Sequence, residues 1–154
     1  MHSESMSKLL QEEDQLAFPK FTNEDALQLG FTIIDMAKKH NVFIAVHIER
    51  NGQPLFSHLM NGTSGENEAW INRKKAVVNH YNHSSAFIAE RFKEMGTSHN
   101  ESSLLPINDF QAVGGSIPLI IKGTGVVGTI TVAGLTPELD HQYAVDGTLA
   151  YLNQ

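Results

Sequence analysis

Apolar positions recur at helical spacing between Thr22 and about His40, with Ala26, Leu27, Gly30, Ile33, Ile34 and Ala37 on one stripe. Thr22 offers a capping hydroxyl, and Glu24 and Asp25 fill the first turn. Lys38, Lys39 and His40 suit the far end of the helix dipole. The pattern then changes. Val42 to Arg50 and Gln53 to Met60 flank Asn51-Gly52, a pair that favours a two-residue type I′ turn. Such a turn sets Ile48 against Leu55, Val46 against Ser57 and Ile44 against Leu59 on one face. It sets His47 against Phe56, Ala45 against His58 and Phe43 against Met60 on the other. Both faces are largely apolar, so the hairpin should be covered on both sides. After a loop over Asn61 to Gly65, the stripe of Trp70, Val77, Tyr81, Ile88, Phe92 and Met95 predicts one long helix from Glu66 to about Met95. Lys74 and Ser85 interrupt that stripe.

Gly96 to about Gln111 is polar and reads as an irregular, mobile connection. A second hairpin follows, from Ser116 to Ile121, through Lys122-Gly123-Thr124-Gly125, to Val126–Ala133. Symmetric pairing puts Ile121 against Val126 and Leu119 against Gly128. Thr136-Pro137-Glu138 opens a last helix to about Leu152, with a capping hydroxyl and a proline at the first helical position. At the other end, Met6, Leu9 and Leu10 among polar residues suggest a short helix or frayed arm, then an extended piece over Phe18-Pro19-Lys20-Phe21. Helix, hairpin, helix, hairpin, helix predicts an α/β (α+β) chain with a mainly antiparallel sheet between helices on both faces. One domain spanning 1–154 accounts for it, with 1–17 as a flexible or helical arm.

Composition narrows the function classes. A 41% apolar and 18% charged chain of 154 residues can bury a core without staples. The absence of cysteine removes a disulfide framework, a thiolate metal site and a thiol nucleophile. A net charge of −6 opposes a nucleic-acid partner, and Arg73-Lys74-Lys75 is too small a basic cluster to reverse that. The uncharged run Gly123–Pro137 is too short for a bilayer, which needs ~20 apolar residues. The first residues lack a signal-peptide pattern, so the cytoplasm is the expected compartment, with no membrane partner.

Several side chains could carry chemistry. His80 and His83, three apart on the long helix, could share a metal, but no zinc motif surrounds them, and a solvated helix face is the preferred reading. No metal site is expected. His47 and His58 fall on one side of the first hairpin beside Phe43, Phe56 and Met60, as a ligand pocket or as hydrogen-bonded structural groups. Arg73 and Lys74, near Asn67 and Trp70, oppose the dipole at the start of the long helix. An anionic ligand, Glu66, Glu68 or a neighbouring subunit could compensate them, ion pairing being preferred. Gly62-Thr63-Ser64-Gly65 lacks the frame of a phosphate loop, and no Gly-x-Ser-x-Gly elbow occurs. Asp140 suits capping of the last helix, and His141 beside it is free to meet a ligand or an interface.

Three stretches carry a family resemblance: Gly62-Thr63-Ser64 with Asn67-x-x-Trp70-Ile71-x-Arg73-Lys74; Gly114-Gly115-x-x-Pro118; and Val127 to Leu135 with Asp140-His141. Together they resemble an uncharacterised family of small cytosolic proteins related to the GlcG/HbpS-like superfamily, whose domain is often labelled haem-degrading. The resemblance implies a profilin-like three-layer α/β/α arrangement and homo-oligomers. It also makes haem a candidate ligand, although no cofactor is certain and no iron-ligand position carries over. Ala133 departs from the serine more usual before Gly134, so any chemistry of that serine would be missing here.

The leading expectation is a small-molecule binding protein, for haem or another anionic ligand, acting as a homo-oligomer. Its candidate ligand residues are Asn67, Trp70, Arg73, Lys74, His47, His58 and His141. A non-catalytic oligomeric interaction module comes second, with Trp70 and Arg73 as interface anchors. An enzyme on a small organic acid comes third, with Asp140 and His141 or a hairpin histidine as its acid–base pair.

Overall fold

The computed structural model describes residues 2–154. Its helices are α1 (Glu4–Asp14), α2 (Asn23–Lys39), α3 (Gly65–Tyr81), α4 (Ser85–Glu94), α5 (His99–Ser103) and α6 (Pro137–Leu152). Its strands β1 (Ala45–Arg50), β2 (Gln53–Leu59), β3 (Ser116–Ile121) and β4 (Gly125–Ala133) form an antiparallel sheet in the order β2-β1-β4-β3.

The layers follow from strand alternation, since successive side chains point to opposite faces. Ile44, Val46, Ile48, Ile117, Leu119, Ile130 and Val132 pack beneath α2 and α6 with Leu29, Ile33, Ala37 and Ala144. On the other face Ala45 and Ala133 meet Ile71 and Trp70 of α3. Helices therefore cover both faces, as the two-sided hairpin requires. Thr22 and Asp25 form the α2 capping box, and Thr136 caps α6 with Pro137 inside it. Gly30, in mid-helix, costs α2 about 1 kcal/mol of propensity. A Cβ there would lie 2.4 Å from the Phe56 ring, so the glycine lets that ring sit against α2.

The first hairpin departs from its expected register. Asn51 and Gly52 both have positive φ, and Arg50 pairs with Gln53 and Glu49 with Pro54, as the type I′ reading requires. A bulge then shifts the ladder, so that Ile48 faces Phe56, Val46 faces His58 and His47 faces Ser57. Pro54, which has no N–H to donate, sits at the irregularity. The shift separates the two hairpin histidines: His47 and His58 lie on opposite faces, not on one. The second hairpin keeps Leu119 against Gly128, but a bulge after Leu119 pairs Ile121 with Gly125 and Ile120 with Val126.

The long helix is two helices. Asn82 takes a left-handed conformation (φ 61°), which asparagine tolerates better than most residues. Ser84 then caps α4 by accepting from Phe87 N at 3.1 Å. His80 thus lies in the last turn of α3, while His83 lies in the turn beyond it and pairs with Glu13 of α1 at 3.0 Å. The polar stretch after α4 is organised by α5 and by Asn100, whose amide donates to the carbonyls of Leu105 and Phe110. The two sheet edges differ. Phe18 hydrogen-bonds across the outer side of β3, its N–H to Ile120 O and its O from Lys122 N, both at 2.8 Å. No strand pairs with the outer side of β2 among the described residues.

Candidate functional site

The resemblance motifs converge on one cleft. The N-terminal part of α3, the loop after β4 and the first turn of α6 bring Asn67, Trp70, Lys74, Gly134 and Asp140 around a hollow of about 360 Å³. At its floor Lys74 and Asp140 are 3% and 2% exposed, and Lys74 Nζ lies 2.8 Å from Asp140 Oδ2. The ammonium also donates to Val132 O at 3.3 Å, and Asp140 Oδ1 accepts from Leu135 N at 2.9 Å. Burial raises the Asp140 pKa above the usual carboxylate value, against the pull of Lys74 and of the Leu135 N–H. Gly115 (φ +140°) makes the ion pair possible, because a Cβ there would come within 2.6 Å of Lys74 Nζ. The Lys74 cation is thus neutralised within the chain, as the preferred ion-pairing reading has it, but by Asp140 rather than by Glu66 or Glu68. Asp140 holds the approach to α6 through Leu135 N while it does so.

Asn67 closes the α3 capping box with Ser64, its Oδ1 accepting from Ser64 N at 2.9 Å. Arg73 stacks on Trp70, with its guanidinium carbon 4.8 Å from the ring centroid, and donates to Asn108 O. Trp70 is therefore held between the cleft and Arg73.

His47 belongs to a buried polar set on the α3 face. Its Nε2 lies 3.0 Å from Glu49 Oε1, which also accepts from Lys75 Nζ at 2.7 Å. Burial alone would raise the Glu49 pKa, but the hydrogen bonds from Lys75 and His47 win and hold it below the usual value. His141 is buried, with Nε2 2.9 Å from Glu12 Oε1 of α1. Each of these imidazoles is engaged by a carboxylate.

His58 is different. It makes no side-chain hydrogen bond among the described residues and lines a hollow of about 430 Å³ between α2 and β2. Phe31, Phe43, Phe56 and Met60 form its apolar walls, and Lys38 and Asp35 stand at the same site. Phe31 and Phe43 are 47% and 50% exposed, unusually open for phenylalanine. The β1–β2 bulge creates this grouping by turning His58 to the side that faces α2. The sequence reading put His58 with Phe43, Phe56 and Met60. Phe31 and Lys38 join them in the structure, and the one sequence signal for this is a phenylalanine off the apolar stripe of α2.

A family model described as haem degrading protein HbpS-like matches residues 21–148. The chain belongs to the HbpS-like family. A UPF0303 protein of Streptomyces coelicolor is 37% identical over 150 residues, covering 97% of this chain and 95% of its own length. Among solved structures, the Ybr137w protein superposes with a TM-score of 0.90 at 25% identity, covering 96% of this chain and 88% of its own. The PduOC:Heme complex superposes with a TM-score of 0.71 at 18% identity, covering 86% and 95%. The profilin-like α/β/α expectation thus stands with the family, and among the described residues no helix of this HbpS-like chain is long and apolar enough to cross a membrane.

Proposed function

We propose that this HbpS-like chain is a small-molecule binding protein whose leading ligand is haem, seated in the hollow between α2 and β2. The observation that carries the reading is His58, an imidazole without an internal partner among three phenylalanine side chains and Met60. That donor set fits haem: His58 would serve as axial ligand, Phe31, Phe43 and Phe56 would present apolar surface, and Lys38 would meet a propionate. Bound haem would supply an iron centre for small-molecule or electron chemistry. The chain's own residues would supply the nitrogen ligand and an apolar surface for the ring. His47 and His141 are poorer ligands, because each is already engaged by a carboxylate, Glu49 or Glu12, that iron would have to displace. The family description and the haem complex of the same fold support the choice of ligand. The motif cleft, with its cation already neutralised, is assigned a structural role.

Titrating haem into the protein should give a saturable Soret shift at micromolar concentration, lost in His58→Ala and kept in His47→Ala and His141→Ala. A wild-type chain with no saturable shift, or a shift indifferent to His58→Ala, would overturn the reading.

One feature favours a second reading, an oligomeric interaction module. The unpaired outer side of β2 runs beside exposed Phe31 and Phe43, a surface suited to another copy. Sedimentation equilibrium distinguishes the two. Phe43→Ser should lower the subunit number if that face is an interface, and leave it unchanged if the face serves haem alone.

A further inference from the structure

A second hollow, of about 430 Å³, lies between α1, α4 and the first turn of α6. Leu9, Ala86, Ala89, Ala112 and Val113 give it apolar walls, and the small alanines leave the space open. The polar atoms around it share one character. Glu12 Oε1 accepts from His141 Nε2, and its other oxygen has no partner among the described residues. Glu90 and Glu138 also line the hollow and make no ion pair or hydrogen bond among the described residues.

His141 completes the pattern. It is 8% exposed, and its Nδ1 is buried with no hydrogen-bond partner. A carboxylate only accepts, so the nitrogen facing Glu12 carries the hydrogen, and in the neutral ring Nδ1 keeps its lone pair. The carboxylates and His141 Nδ1 are thus all acceptors. Lys8, exposed on α1, is the only lysine or arginine on the lining. Acceptors and carboxylates around an apolar slot call for a donor with positive charge and an apolar body.

We infer that this hollow is a binding site for a small organic amine, its ammonium on the Glu12–His141 side and its hydrocarbon against Leu9, Ala89 and Ala112. The site is separate from the one proposed for haem. Ser5, Lys8, Leu9 and Glu12 on its lining come from α1, which lies outside the stretch matched by the family model.

The probe is 2-phenylethylamine, titrated calorimetrically at pH 8 so that ordinary histidines are neutral. Saturable binding with Kd below about 1 mM is expected. 2-Phenylethanol should bind about tenfold more weakly and phenylacetate not at all, because charge sign and donor capacity carry recognition. Glu12→Gln should weaken the amine about tenfold, and Ala89→Leu, which fills the slot, should abolish binding. Thermal melts confirm that each variant is folded. His58→Ala should leave the titration unchanged, which separates this site from the haem reading. The inference is overturned if the amine does not saturate, if phenylacetate binds as tightly, or if a folded Glu12→Gln protein binds as the wild type does. Loss of binding in His58→Ala would place the amine at the other hollow and overturn it equally.

Discussion

The two faces of the sheet are built on different terms. Beneath α2 and α6 the strands present Ile44, Val46, Ile48, Ile117, Leu119, Ile130 and Val132, an apolar layer that excludes water by area alone. Toward α3 the chain buries His47, Glu49, Lys74, Ser116, Thr129, Thr131 and Asp140. Most of these are joined in pairs: Ser116 Oγ with Thr131 Oγ1 at 2.8 Å, Glu49 with Lys75 and His47, Lys74 with Asp140. An apolar layer tolerates a lost methylene by partial relaxation. A buried ion pair does not tolerate a lost partner, because the remaining charge has no water to turn to. The α3 face therefore specifies one arrangement of α3 and α6, while the α2/α6 face supplies most of the hydrophobic stabilisation.

The largest effects should come from breaking that specification. Asp140→Ala leaves the Lys74 ammonium buried beside a carbonyl and should cost about 3–5 kcal/mol in urea unfolding. Lys74→Met combined with Asp140→Leu should recover most of the loss, since replacing both charges by apolar groups is often neutral. A double variant no better than Asp140→Ala would show that the pair does more than neutralise itself. Ile33→Ala, on the apolar side, should cost about 2–5 kcal/mol, and no second substitution should restore it so fully.

The two buried carboxylates on the polar side should also show opposite slopes with pH. The Glu49 pKa is held below its ordinary value, so its contribution is present above the unfolded pKa of about 4.3 and lost as pH falls through the lower folded value. Asp140 is raised, so the folded chain keeps its proton longer. Its contribution is greatest in acid and declines as pH rises through the folded pKa. Glu49→Gln should flatten the acid limb of a stability–pH curve measured by chemical denaturation. An unchanged limb would mean that Lys75 and His47 do not stabilise the ionised carboxylate.

The same contrast explains what could be read from the sequence. Periodicity, caps and turn residues identify α2, α6 and both hairpins, because the α2/α6 face obeys the plain rule that apolar positions point inward. The polar face breaks that rule. Lys74 interrupts the stripe because its ammonium meets Asp140, 66 positions away in the chain. The break between α3 and α4 was written locally, in Asn82 and Ser84, yet the apolar stripe runs on across it. The β1–β2 bulge at Pro54 alters which histidine faces which helix, and a one-residue shift is invisible to alternation alone. Of the candidate ligand residues, Asn67, Trp70 and Lys74 do share a cleft, whereas His47, His58 and His141 lie in three separate environments.

The smallest expected effect lies at the rim of the apolar layer, where a polar contact clasps the end of α6 to the start of α2. Tyr151 donates its hydroxyl hydrogen to Asp25 Oδ1 at 2.6 Å, and the same carboxylate caps α2 through Thr22. The hydrogen bond to Asp25, with burial second, pushes the phenol up to about 12. Burial works against Asp25, but the hydrogen bonds from Tyr151 and Thr22 prevail and its pKa falls. For the phenol the sign is that of a raised group: its contribution is complete below the unfolded value of about 10 and is lost as pH rises through about 12. Tyr151→Phe keeps the ring against Phe18 and removes only the hydroxyl. It should cost about 0.5–1.5 kcal/mol at neutral pH, and Asp25 keeps Thr22 as a donor, so α2 stays capped. In alkaline titration followed by tyrosine absorbance, the variant should lose the component that ionises near 12. A loss as large as that of Asp140→Ala would put a decisive polar contact on the apolar side of the sheet and remove the distinction between the two faces.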